Sequence, residues 1–162
     1  MSSKQKEMQR LIRHYKDEKG VVEVDMKEVA KFAMQKGWPM PKPKSPLDML
    51  AKQFTGAARQ EIKHDEQTGR PYRVNHAVAY KQGNDTLHLW IDIDDPAVTR
   101  AKMQKSLTLR REQMVGDGLQ LSYDADHWNT THPEEEIQLE FDLSFDIELR
   151  KSTEDAEGEI AA

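Results

Sequence analysis

RVNHAVAYKQGNDTLHLWIDID, residues 73–94, reads as two β-strands folded back on each other. Apolar and polar side chains alternate on both sides of the polar loop Gln82-Gly83-Asn84-Asp85, the pattern of a hairpin. Folding across that loop sets Lys81 opposite Thr86, and the other pairs follow: Tyr80 with Leu87, Val78 with Leu89, His76 with Ile91, Val74 with Ile93. That face is almost wholly apolar, with His76 expected as a buried, hydrogen-bonded core residue. The opposite face pairs Asn75 with Asp92, Ala77 with Trp90 and Arg73 with Asp94. Because side chains alternate with period two, a slip of one residue would invert both faces; only this register satisfies both.

Upstream of the hairpin the periodicity changes from two to that of a helix. Residues 4–17 carry Met8, Leu11, Ile12 and Tyr15 at helical spacing, closed by Lys19-Gly20. Val21 to Val24 is a short β-rich stretch. Asp25 caps a second helix, with Glu28 completing a capping box; Val29, Phe32 and Ala33 form its inner face, and Gly37 ends it. Trp38 to Pro46 holds four prolines and predicts an extended connector. Ser45-Pro46-Leu47-Asp48 starts a third helix, whose buried stripe is expected to be Leu47, Leu50, Phe54 and Ala58. Residues 61–74 form a first hairpin around Glu66-Gln67-Thr68-Gly69.

Downstream, Asp94-Asp95-Pro96 caps a basic helix over about 96–115, broken by Gly116-Asp117-Gly118. Residues 119–131 fit a strand or a helical turn, and His127 and His132 flank Trp128 in a polar loop. Ile137 to Leu149 alternates without a break and predicts a strand with one apolar face and a bend. The residues after Lys151 read as a disordered acidic tail. The expected architecture is therefore α+β: a basic region 1–81, an acidic α+β region 82–151 sharing its sheet, and the tail 152–162.

Charge is divided in the same way. Residues 1–81 hold 17 Lys and Arg against 10 Asp and Glu, a net of +7; residues 82–162 hold 7 against 19, a net of −12. A basic half points to a polyanionic partner. Absence of cysteine excludes disulfides, thiol catalysis and cysteine metal sites, and fits a cytoplasmic protein. The charged start of the chain is unlike a signal peptide, and no apolar run reaches the ~18 residues of a membrane span.

In the order helix, short strand, helix, helix, hairpin, residues 4–74 resemble winged helix-turn-helix DNA-binding domains. The resemblance implies a recognition helix at 45–60 and a wing at 61–74. It departs from the family in the connector before the third helix, about nine residues where a helix-turn-helix turn has about 3–4. Phosphate contacts need spaced cations, which Lys42, Lys44, Lys52, Arg59, Lys63, Arg70 and Arg73 supply; base reading needs polar side chains on the helix, which Lys52, Gln53, Thr55 and Arg59 supply. The same lysines also fit an ordinary solvated face.

The leading expectation is a non-catalytic protein that binds duplex DNA, a regulator or a mobile-element accessory factor, without cofactor or metal. A second is a protein-interaction module, or homodimer, built on a degenerate winged helix. A third uses Asp92 and Asp94, alternate carboxylates on one strand, as Mg²⁺ ligands of a nucleic-acid enzyme. Against the third, Asn75 and Arg73 stand opposite these carboxylates. No histidine pair has metal spacing, and no nucleophile elbow or phosphate loop is present. The acids Glu140, Asp142, Asp146 and Glu148 share one face of the predicted strand, which is expected either to keep it soluble or to compete with DNA for the basic half.

Overall fold

The computed structural model describes residues 2–161; Met1 and Ala162, at the outer limits of the basic region and the acidic tail, lie outside the described residues. Helices and strands follow in the order α1 (Ser3–Lys19), α2 (Met26–Gln35), α3 (Pro46–Gln60), β1 (Ile62–His64), β2 (Pro71–Arg73), β3 (Asn75–Gln82), β4 (Asp85–Asp92), α4 (Arg100–Thr131) and α5 (Ser144–Ala161). The class is α+β. The chain divides into two compact units, residues 1–49 and 50–162.

In the first unit, Ser2 caps α1 by accepting the Gln5 amide, and Gly20 closes it in the left-handed conformation at φ 63°. Asp25 caps α2 through the Lys27 amide at 2.8 Å, whereas Glu28 takes Lys31 Nζ at 2.6 Å. Val29, Phe32 and Ala33 are buried, as their spacing predicts, and Tyr15 meets Phe32 edge-on at 5.4 Å. Val21 to Val24 forms no strand, since a four-residue stretch with no partner leaves its backbone groups unpaired.

In the second unit the strands form two separate two-stranded antiparallel sheets rather than the one continuous sheet expected, joined by single backbone bonds from Val74 N to Glu61 O and from Ile93 N to Val74 O. The β3–β4 register is the one the sequence dictates, from Lys81 opposite Thr86 to Asn75 opposite Asp92. Val74, His76 and Val78 are buried, and His76 Nε2 donates to the Arg73 carbonyl at 2.8 Å. Arg73 does not pair with Asp94, which instead accepts the Tyr72 hydroxyl at 2.9 Å and Lys63 Nζ at 3.4 Å.

Four further expectations fail, each for a local reason. The stripe Leu47, Leu50 and Phe54 is exposed, at 75%, 49% and 68%, and α3 buries none of its residues. Its half-buried residues are Thr55, Gly56 and Ala58, and Asn75 Nδ2 reaches the Ala58 carbonyl there at 3.3 Å.

Helix α4 starts at its Thr99 cap and runs through Gly116 and Gly118 to Thr131. A helical glycine costs only about 1 kcal/mol against alanine, too little to break a long helix; Pro133, beyond the His132 cap, ends it. Trp128 and His132 therefore lie at a helix end, stacked at 3.8 Å, and not in a loop.

The strand over 137–149 does not form: residues 137–143 are irregular and α5 follows. Alternation supplies a face but no partner strand, and local side chains capture the backbone instead. Glu140 accepts the Asp142 amide at 2.9 Å, and Asp142 accepts the Ser144 amide at 3.0 Å and starts the helix. The segment begins at a tether, where the Asn129 carboxamide bonds both Ile137 N–H, at 2.7 Å, and Ile137 C=O, at 2.9 Å.

Residues 152–161, expected as a disordered tail, continue α5. Glu148 with Lys151 at 2.8 Å helps to hold it, as do Ser152 and Thr153 hydroxyls on the Leu149 carbonyl. The chain thus has two helices after the hairpins, where one was expected. No helix among the described residues is long and apolar enough to cross a membrane.

Candidate nucleic-acid interface

Arg59 and Arg73 are the two sequence-predicted cations that the second unit brings together. Arg59 lies near the end of α3, and the Asn75 carboxamide fixes that end by bonding both the Ala58 carbonyl and Glu61 Oε2, the latter at 2.7 Å. Arg73 ends β2, with its carbonyl held by His76. The third side of the site comes from α4. Ser106 is buried and donates from Oγ to the Ala77 carbonyl at 2.6 Å, which pins one face of α4 to β3. Leu109, Arg110 and Gln113 follow Ser106 at three, four and seven positions and so share that face.

These elements enclose a cleft of about 400 Å³. Arg59, Arg73, Arg110, His88 and Trp90 line it, with Gln113 at its edge on α4, and no carboxylate is among its lining residues. Trp90 is half-buried and stands opposite Ala77 in the ladder; the Arg59 guanidinium lies over its ring, 5.9 Å from the centroid. Among the described residues, none of the three arginines forms an ion pair. Concave walls focus the field of cations that no carboxylate pairs.

The other predicted cations are placed elsewhere. Lys42 and Lys44 lie in the irregular connector of the first unit. Lys52 and Gln53 are exposed on α3, whereas Thr55 is half-buried. Lys63, on β1, is engaged by Asp94. Arg70 is carried by a tight turn: Asp65 accepts the Thr68 amide at 2.7 Å and the Gln67 amide at 3.0 Å, and Gly69 takes φ 68°. Those bonds, the Thr68 amide foremost, hold the Asp65 carboxyl below its usual range.

Arg70 is also occupied. Asp155 of α5 accepts it twice, from Nη2 at 2.7 Å and from Nε at 3.3 Å, beside a cavity of about 980 Å³. This bond holds the Asp155 carboxyl below its usual range and raises the guanidinium above its own.

Sequence reasoning missed Arg110, Trp90, His88 and Gln113 as site residues. Two signals pointed to them. The register already set Trp90 opposite a one-carbon side chain, and the basic helix expected over 96–115 contains Arg110; neither showed that Ser106 would dock that helix on the hairpin.

Asp92 and Asp94 do not assemble a metal centre. Asp94 is taken by Tyr72 and Lys63, a contact that raises the Tyr72 hydroxyl above its usual range, and Asp92 Oδ1 accepts the Asp94 amide at 2.8 Å. No group of three or more His, Asp or Glu among the described residues is placed to hold a metal ion. Comparison of the chain with protein-family models, with curated proteins and with solved structures finds no match.

Proposed function

We propose that this chain is a non-catalytic DNA-binding protein and that the cleft of Arg59, Arg73 and Arg110 holds the phosphate backbone. The carrying observation is the convergence of three arginines, free of carboxylate partners among the described residues, around a half-buried tryptophan. The excess of basic residues in 1–81 supports the same reading. So does the order of three helices and a hairpin, α1, α2, α3, β1, β2, which lacks the short strand expected over 21–24; in this reading α3 is the recognition helix and β1–β2 the wing.

A salt titration tests it. Log affinity should fall linearly with log salt as counterions are released, and Arg59→Ala, Arg73→Ala and Arg110→Ala should each reduce the slope by about 1. Lys52→Ala separates the surfaces: it weakens binding if the exposed face of α3 reads DNA, and leaves it unchanged if the cleft alone does. No binding to any nucleic acid at low salt would remove the proposal.

The second reading is a protein-interaction module, favoured by the uncovered apolar stripe of α3. Contiguous exposed apolar surface of this kind marks interaction sites. Sedimentation across a concentration series should then show self-association that Phe54→Lys abolishes.

A further inference from the structure

The cleft presents an aromatic ring to its ligand, and fully paired DNA has no free base face to offer one. In the duplex the base faces are stacked on each other, so a protein meets phosphates and base edges. A ring set among cations suits an unstacked base on the ring, with its backbone on the cations. Trp90 occupies that position. Its cross-strand neighbour Ala77 is too small to cover it, and Arg59 lies over its face at 5.9 Å. Arg59 is exposed, so its side chain is free to swing outward and admit a base against the indole. Arg73 and Arg110 line the same cleft and remain for the flanking phosphates. At about 400 Å³ the space falls in the range of sites for small ligands, about 300–1,000 Å³, and is too small to seat a double helix.

Resting on the DNA-binding reading above, we infer that the cleft takes an unpaired nucleotide, so that the chain binds single-stranded DNA in preference to duplex. The base stacks on Trp90 under Arg59, and Gln113 and His88 supply polar groups for its edge.

The full chain is titrated at low salt with a single-stranded oligonucleotide, with the same sequence as a duplex, and with heparin, a polyanion without bases. The single strand should bind at least about tenfold more tightly than the duplex and quench tryptophan emission. Trp90→Ala should lose between about five- and 150-fold for the single strand, the worth of one stacked base, and should weaken duplex and heparin binding far less, through the loss of support for Arg59 alone. Trp90→Phe keeps a ring: it should retain single-strand affinity within a few-fold and lose the quench, and it decides the matter if the alanine variant does not fold. Equal affinity for single strand and duplex overturns the inference while leaving the DNA-binding reading in place. So does heparin binding as tightly as the single strand, or a folded Trp90→Ala that binds like wild type. Failure to bind any of the three removes both.

Discussion

Arg70 and Arg73 are three residues apart, and carboxylates treat them differently. Arg73 faces an open cleft, whereas Arg70 is bound at two nitrogens by Asp155. The sign of the pH dependence follows. The Asp155 carboxyl is held below its usual range, mainly by its hydrogen bond from Arg70, so the contact contributes fully above the ordinary carboxylate pKa and is lost as pH falls through the lowered value. A carboxyl-detected NMR titration should show Asp155 titrating below the usual aspartate range, and Arg70→Gln should return it to that range. An unchanged midpoint in that variant would mean that the pair does not persist in solution. Ser106 carries a different expectation because it is buried. Ser106→Ala removes the bond to the Ala77 carbonyl and should cost about 1 kcal/mol in a denaturant titration, with a lower affinity for DNA because Arg110 loses its anchor. At this scale the sequence was readable where the ladder itself fixed a neighbour, as with Ala77 and Trp90, but not for Arg73, whose expected register partner Asp94 is taken by Tyr72 and Lys63. It was unreadable where the partner came from elsewhere in the chain, as with Arg70 and Asp155, 85 positions apart.

Helix α4 shows how far a local rule reaches. Gly116 and Gly118 look like a break, yet the helix passes through both, and a Cβ added at either would meet nothing within 4 Å. Gly116→Ala and Gly118→Ala should therefore each stabilise α4, together by about 1–2 kcal/mol. A double variant less stable than wild type would restore the break. The hairpins were legible because each strand's partner lies a few residues away across a turn. Residues 137–149 misled because alternation records only which side chains share a face, and a strand also needs a neighbour to take its backbone groups. In its place α5 rests on electrostatics that acid removes. Hydrogen bonds to Ser144, to Lys151 and to Arg70 lower the carboxyls of Asp142, Glu148 and Asp155 respectively. All three contributions are present at neutral pH and disappear as pH falls through the lowered values. Cα shifts of residues 144–158 should lose helical character as pH falls below the ordinary carboxylate range; a helix that persists or grows in acid would show that these bonds do not hold it.

Over the whole chain, the separation of charge visible in the sequence becomes a contact between an acidic helix and a cation of the β1–β2 turn. The contact that would compete with DNA in the proposed reading lies on α5 and not on a strand face. Asp155→Asn with Glu154→Gln frees Arg70 and should raise affinity for DNA at low salt, with most of the gain lost at high salt, where exposed charges are screened. Equal affinities at low salt would leave the acids a solubility role only. The route of the chain toward α5 begins at Asn129, whose carboxamide offers Ile137 the same donor and acceptor that a neighbouring strand would. That imitation ties the tether to the chemical age of the protein. Hydrolysis of this one amide leaves a carboxylate, which still accepts from the Ile137 N–H but sets a negatively charged oxygen against the Ile137 carbonyl where a donor had been. A reaction that adds about one dalton and breaks no backbone bond would then unfasten one of the two points that hold the chain there, without any change in temperature or solvent.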